Sequence, residues 1–343
     1  MRRICYLYTD FQRIVFGAAL MQAGLEESEF SFITHGYCND ERLDSPIRIT
    51  GGFKKMQWSK ARQLIAETYA AVEQFTGGQE FELWLASDNS GIGQILIHHP
   101  LCRRVILFED GLANYGVHYP LLSRKNIQIE LFRLRNLALL CPYYRMPKRA
   151  GECSRAISRF ALTEYSYPYA PPDQVVRIDR VHFVNSVSKE VEVSSHGAIW
   201  DLRDGDLLFI DAFKDHARAD ARRPMITEFL REIVRKRDCQ RVLVRPHPGA
   251  QGDFVSETVE GLRSALPVSV ETAPSRGLVE EAFWMARNRS LNVAGLLSTA
   301  LLTARLIMPS SGVHCLGSKF RQQVFSRKDG LIPALDRLGV EIH

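Results

Sequence analysis

Two doubly wound α/β domains are what this sequence predicts, and three observations predict them. At 343 residues the chain exceeds what one core usually organises, so two domains are expected, 1–200 and 201–343. Short apolar runs alternate with helical patterns along both halves, the mark of a parallel sheet with helices on both faces. Polar clusters follow several of those runs directly, where such sheets carry ligand-binding groups.

The elements follow in order. "RICYLY" (3–8) reads as a buried strand and "FQRIVFGAALMQAG" as the next helix, with Gly24 near its C-terminal end. "FSFITHG" is a second strand, "SKARQLIAETYAAVEQFTGG" a helix closed by glycines, "FELWLAS" a third strand, "GIGQILIHHP" a short helix and "RVILFED" a fourth strand. The Tyr-, Pro- and charge-rich stretch from 163 to 206 reads as loops, short strands and the connection between domains. "DLLFIDAF" then opens a second unit, followed by the helix "MITEFLREIVRKR", whose basic last turn suits its dipole. Strands "RVLVRPHP" and "VSVETA", helix "GLVEEAFWMARN", strand "SLNVAGLL" and helix "STALLTARL" complete it.

Composition excludes several classes. Forty-five percent hydrophobic and 24% charged residues describe a folded globular chain. The net charge of 44 − 39 = +5 suits an anionic substrate or a membrane surface without requiring nucleic acid, for which no motif is present. Seven scattered cysteines, with no CxxC, argue against a disulfide framework or a zinc site. "VAGLLSTALLTARLIM" is broken by Ser298, Thr299, Thr303 and Arg305, too polar to span a bilayer, and the N-terminal run reaches Thr9 and Asp10 too soon for a signal core. A cytoplasmic protein is expected, with peripheral contact at the inner-membrane face as an option.

Three polar signals end apolar runs: Glu109-Asp110-Gly111 after "RVILF", His247-Pro248 in "RPHPG", and Ser298-Thr299 after "NVAGLL". Taken singly, each has a structural explanation: an Asx turn, a rigid proline turn, a helix N-cap. Together they suit transfer from a phosphate-linked donor to a hydroxyl. A carboxylate takes the acceptor proton, an imidazole assists the departing phosphate, and hydroxyls and amides at a helix N-terminus hold it.

This order resembles the three motifs of the bacterial sialyltransferases, including the polysialyltransferases and lipooligosaccharide sialyltransferases: (Asp/Glu)-(Asp/Glu)-Gly, His-Pro and Ser-(Ser/Thr). The resemblance implies a GT-B fold with two Rossmann-like domains facing a central cleft, a CMP-sialic acid donor, inversion at the anomeric carbon, no metal or other cofactor, and a glycan acceptor such as a capsular polysaccharide or lipooligosaccharide. It makes Glu109 or Asp110 the base and His247 the acid or phosphate partner. Gly111, Arg245, Pro248, Ser298 and Thr299 fall to the donor side, and Glu281, with Glu280 as fallback, to the ribose. Two departures stand out: "LVEE" replaces the Pro-Phe-Glu of many relatives, and Arg245 stands where many have lysine. No DxD metal motif is present; "DGD" at 204–206 reads as a turn.

The acceptor side rests on fewer signals. Between Arg124 and Arg149 seven basic residues meet one acid, Glu130, a net +6 with an apolar stripe; anionic glycan or lipid headgroups would suit it, and so would a solvated basic helix. Arg133 and Arg135 in this stretch, Asp10 after the first strand and Asn89 in "ASDNSGIG" are the acceptor candidates. His98 and His99 read as a helix terminus. Two other readings are a GT-B enzyme with another donor, such as CMP-Kdo or a UDP-sugar, or an epimerase of similar architecture, and a non-catalytic glycan-binding protein on the same fold.

Overall fold

The structure is a computed structural model that describes residues 1–38, 43–44, 46–49, 58–115, 127, 130–131, 134–135, 137–139, 151–193, 200–210, 223–247, 250, 252–274, 277–317 and 331–343. Arg133, Pro248 and most of the basic stretch lie outside these residues. The chain forms two compact units, the first comprising Met1–Ser186 and the second beginning at Val187.

The first unit carries strands β1 (Arg2–Thr9), β2 (Phe30–Tyr37), β3 (Ile47–Arg48), β4 (Phe81–Leu85), β5 (Cys102–Phe108), β6 (Ala156–Ala161) and β7 (Val175–Arg177). Its helices include α1 (Asp10–Ala23), α2 (Trp58–Thr76), α3 (Gly91–Ile97) and α4 (Arg180–Val193). The strands pair in parallel in the order β3-β2-β1-β4-β5-β6-β7. Alternate residues serve opposite faces. Ile4, Tyr6, Leu83, Leu85, Val105 and Leu107 share one core with Leu64 and Val72 of α2 and Ile92 and Ile95 of α3. On α1, Phe16 meets Trp84 edge-on and Phe108 at a tilt, with ring centroids 6.0 and 5.7 Å apart. Each such side chain contributes roughly 1.5–3 kcal/mol by leaving water.

The second unit carries β8 (Asp206–Ile210), β9 (Arg241–Arg245), β10 (Ser269–Thr272), β11 (Asn292–Gly295), β12 (Gly312–Cys315) and β13 (Glu341–Ile342). Between them lie α5 (Arg223–Arg237), α6 (Gly252–Ala265), α7 (Val279–Met285), α8 (Thr299–Ile307) and α9 (Leu331–Arg337). The order is β10-β9-β8-β11-β12-β13, again parallel. Both sheets thus reverse direction beside their first strand, between β1 and β4 and between β8 and β11. Ligands of doubly wound sheets bind outside the strand carboxyl ends at that reversal.

One stretch differs from the sequence expectation: the region from 163 to 206, read as loops, short strands and the connection between domains, holds the short strand β7 but also helix α4. Helix α4 holds five valines, β-branched residues of modest helix propensity. Tertiary anchoring overrides that: Phe183 and Val187 are fully buried, and the Ser186 hydroxyl donates to the Ile14 carbonyl at 2.7 Å. The junction of the two units falls inside this helix, while every strand of the first sheet precedes residue 200 and every strand of the second follows it. Among the described residues no helix is long and apolar enough to cross a membrane, and the described cysteines are buried.

Candidate active site

In the first unit, side-chain hydrogen bonds join the segments that follow the carboxyl ends of β1, β5 and β6. Strand β5 ends at Phe108, so Glu109 and Asp110 emerge at that edge. Gly111 has φ +89°, a conformation that a side chain would oppose. The chain turns there, and the Asp110 amide donates to Asn114 Oδ1 at 2.6 Å.

The two carboxylates have different surroundings. Glu109 is 0% exposed. Its Oε2 accepts from the Leu162 amide at 2.8 Å and the Ser166 hydroxyl at 2.6 Å, both in the loop after β6. Burial lifts its pKa to about 7, against the pull of those bonds and of the nearby Tyr115 hydroxyl. Asp110 is partly exposed, and its Oδ1 accepts from Gln12 Nε2. Gln12 is itself fixed, because its Oε1 accepts the Tyr8 amide at 2.7 Å, which leaves its NH2 aimed at Asp110. Desolvation raises Asp110 to about pKa 6, with the Gln12 bond opposing and the Asp88 charge adding. Asp88, after β4, is buried; its oxygens accept the Gly151 and Cys153 amides at 2.9 and 3.0 Å, and desolvation raises it to about 6.

Of the remaining candidates of this unit, Asp10 and Asn89 follow the carboxyl ends of β1 and β4. Asp10 opens α1, capped by Thr9, whose hydroxyl accepts from the Gln12 amide at 3.3 Å. Asn89 Oδ1 accepts from the Ser87 hydroxyl at 2.6 Å in the turn after β4. Ser90 caps α3, and a Cβ on Gly93 would lie 2.6 Å from its hydroxyl, so Gly93 of "GIG" serves tight packing. His99 is buried between Tyr69 and Phe81, with ring centroids 4.3 and 5.6 Å away, a packed residue at a helix end as expected. Arg135 is helical and half-buried.

In the second unit, Arg245 ends β9 and is 6% exposed. Its Nη2 donates to the Gly277 carbonyl at 2.7 Å, its guanidinium lies 5.4 Å from the Trp200 ring centroid, and Nη1 is buried with no hydrogen-bond partner among the described residues. Burial lowers its pKa, and the charges of Glu280 and Glu281 oppose that. His247 follows Pro246, half-buried; its carbonyl accepts the Ala250 amide at 2.8 Å and closes the turn. Glu280 and Glu281 lie in the first turn of α7 and are both buried, at 4% and 1% exposure. Glu280 accepts from the Thr303 hydroxyl of α8 at 2.9 Å, and burial raises its pKa. Ser298 is the N-cap of α8, its hydroxyl accepting from the Ala300 amide at 3.2 Å, and Thr299 is the first helical residue. Strand β11 reaches this turn through Gly295, where a Cβ would stand 3.3 Å from the Ile210 carbonyl at the end of β8.

Within the first unit the structure therefore joins Glu109 and Asp110 to α1 and to the loop after β6, with the charge of Asp88, after β4, acting on Asp110. Within the second it sets Arg245, His247, Ser298 and Thr299 on one sheet edge, with Glu280 and Glu281 packed beside Arg245. Sequence reasoning missed Gln12, Asp88 and Ser166. Asp88 stood in the turn from which Asn89 was chosen; Gln12 and Ser166 act across 98 and 57 residues and left no local signal. Among the described residues, His314, Glu341 and His343 alone group as metal ligands would, but Glu341 already pairs with Lys236 and Arg237, two cations that oppose a third.

Residues 101–317 match the family model described as alpha-2,8-polysialyltransferase (POLYST). No curated protein matches the sequence. Among solved structures, the chain is similar to the UDP-GlcNAc 2-epimerase of Methanocaldococcus jannaschii, with TM-score 0.55, 13% identity, and 98% of this chain and 92% of that one covered. It is similar to the epimerase of Neisseria meningitidis bound to UDP-GlcNAc, with TM-score 0.53, 10% identity, and coverage of 98% and 91%. It is also similar to the GT-B domain of a sialyltransferase from Photobacterium damselae, with TM-score 0.51, 12% identity, and coverage of 100% and 98%. These likenesses establish a GT-B type fold.

Proposed function

We propose, from the premise that this chain belongs to the alpha-2,8-polysialyltransferase family, that it moves sialic acid from CMP-sialic acid to a hydroxyl of a sialylated cell-surface glycan, with inversion and without a metal. The chain is a glycosyltransferase of the sialyltransferase kind, which requires a nucleotide-sugar donor and a glycan acceptor. The finer reading concerns which residues do the chemistry and on which donor.

One observation carries it: the adjacent carboxylates Glu109 and Asp110, held at a strand end with pKa values near 7 and 6. A base is most effective when its pKa lies near working pH, and burial has moved this pair there from the ordinary carboxylate range. In the proposed step the acceptor hydroxyl attacks the anomeric carbon, its proton passes to the pair, and the bond from that carbon to the phosphate oxygen breaks. CMP leaves with the electron pair. His247 donates to the departing phosphate, while Ser298, Thr299 and the first amides of α8 hold it. Arg245, buried at the end of β9, supplies positive charge behind the turn that carries His247.

The test is release of CMP from CMP-sialic acid in the presence of EDTA, across galactoside and sialoside acceptors, comparing wild type with His247→Ala. The reading expects turnover on a sialoside that EDTA leaves intact and His247→Ala removes. Stabilisation by UDP rather than CMP in a thermal-shift assay, with no CMP release on any acceptor, would overturn the donor assignment.

A further inference from the structure

Strands β1 and β2 pair in parallel as far as Leu7 and Thr34 and resume at Thr9 and Tyr37, so two residues of β2, His35 and Gly36, face one of β1, Tyr8. Such a bulge is rare between parallel strands, and bulges beside active sites re-aim side chains. Gly36 makes this one possible: its φ is +73°, and a Cβ there would collide with the Tyr8 ring. Arg48, in β3, clamps the bulge, with Nη2 donating to the Gly36 carbonyl at 2.8 Å and Nη1 to the Cys38 carbonyl at 3.1 Å.

The bulge sets the rings of Tyr8 and His35 side by side at the carboxyl ends of their strands, with centroids 5.5 Å apart and planes inclined by 45°. Tyr8 is 36% exposed and His35 is half-buried. His35 Nδ1 lies 2.7 Å from the Ile49 carbonyl; a carbonyl only accepts, so Nδ1 carries the proton and Nε2 is the acceptor of the neutral ring. The pair is also tied to the carboxylate cluster. The Tyr8 amide donates to Gln12 Oε1, and Gln12 Nε2 donates to Asp110.

Shape and charge say what such a corner takes. A flat base would stack on one ring and leave the other idle. A chair-shaped sugar lays its C–H face on the tyrosine ring and sets a hydroxyl against the acceptor nitrogen of the histidine. Arg48 is exposed and puts a guanidinium beside the bulge, which suits a sugar bearing a carboxylate. We propose that Tyr8 and His35 form a subsite for an acidic sugar ring of the acceptor glycan. The subsite rests on the acceptor reading given above but needs neither the donor nor the proton transfer.

Binding is read without donor, by saturation-transfer NMR titration of the full chain with a soluble trimer of sialic acid and, as the uncharged comparison, lactose. Wild type should bind the trimer more tightly than lactose. Tyr8→Leu should weaken trimer binding by about three- to tenfold, while Tyr8→Phe, which keeps the ring, should match wild type. Hydroxyl-radical footprinting of the wild type asks the same without a variant: the trimer should shield Tyr8 and His35 and leave Trp58, 60% exposed, as reactive as before. In CMP-release assays the loss in Tyr8→Leu should fall on acceptor KM, with kcat and CMP affinity kept. Four results would overturn the subsite: no trimer binding by wild type, lactose bound as tightly as the trimer, binding undiminished in a folded Tyr8→Leu, or no shielding of Tyr8 and His35. A wild type that binds the trimer through Tyr8 yet releases no CMP would instead overturn the transfer reading and leave the subsite standing.

Discussion

The two sheet edges hold their polar groups by opposite means. In the first unit, charge is buried and tied down by side chains from distant loops: Gln12 on Asp110, and Ser166 with the Leu162 amide on Glu109. In the second, half-buried groups are set by backbone geometry: His247 on a proline turn and Ser298 on a helix N-terminus. The difference suits two tasks. A base needs its proton affinity tuned, which takes desolvation and fixed partners, whereas a phosphate is held by amides and a dipole that any helix start supplies.

The sharpest way to break this comparison is to remove charge at each edge. Glu109→Gln and Asp110→Asn keep shape but abolish the carboxylate pair, so each should lower kcat by about 10²–10⁴-fold with CMP affinity, read by calorimetry, nearly unchanged. His247→Ala should lower kcat by a similar order and leave acceptor KM alone. A matching loss of CMP affinity in the carboxylate variants would show that the first edge binds donor rather than activating acceptor.

Proton affinity sharpens it further. With folded pKa values near 6 and 7, kcat should rise with pH through that window and level above it, since the base acts deprotonated. Gln12→Leu removes a bond that lowers the Asp110 pKa, so the acid limb should move to higher pH and kcat at neutral pH fall by about tenfold. An unmoved limb with an equal loss of kcat would make Gln12 a packing residue only.

The same burial has a stability consequence of opposite sign. Glu109 binds its proton more tightly folded than unfolded, so its contribution to stability is full below the unfolded value of 4.5 and is lost as pH rises through about 7. Glu109→Gln should therefore leave stability at pH 4 little changed and raise it at pH 8, by about 1–3 kcal/mol. Denaturant melts at the two pH values check this, and destabilisation at both would mean that the Ser166 and Leu162 bonds outweigh desolvation.

Much of this was legible in the sequence, for reasons that also mark its limits. Strands such as "RICYLY" and helices such as "SKARQLIAETYAAVEQFT" carry their period openly, and the clusters after β5, β9 and β11 advertise strand ends. Helix α4 did not, because its valines speak for extended chain and only burial of Phe183 and Val187 makes it a helix. The two carboxylates read alike in "FEDG", yet one is fully buried and the other partly exposed. That asymmetry comes from Gln12 and Ser166, whose contacts belong to the sheet order rather than to any local pattern. Glu281 shows the converse: its position on α7 was legible, but its burial beneath the helix start was not.

The smallest expected effect separates the two jobs open to Ser298. As the N-cap of α8 it accepts the Ala300 amide, and as a phosphate ligand it would give up or share that bond. Alanine at an N-cap costs about 1 kcal/mol, whereas glycine costs only a few tenths. Ser298→Ala should thus lower both stability and CMP affinity, while Ser298→Gly should leave the melt nearly intact. If the hydroxyl touches phosphate, both variants weaken CMP binding by a similar factor, about three- to tenfold for one hydrogen bond. If CMP affinity instead follows the melts, falling with alanine and recovering with glycine, then Ser298 only builds the helix end, and the amides behind it hold the phosphate without its help.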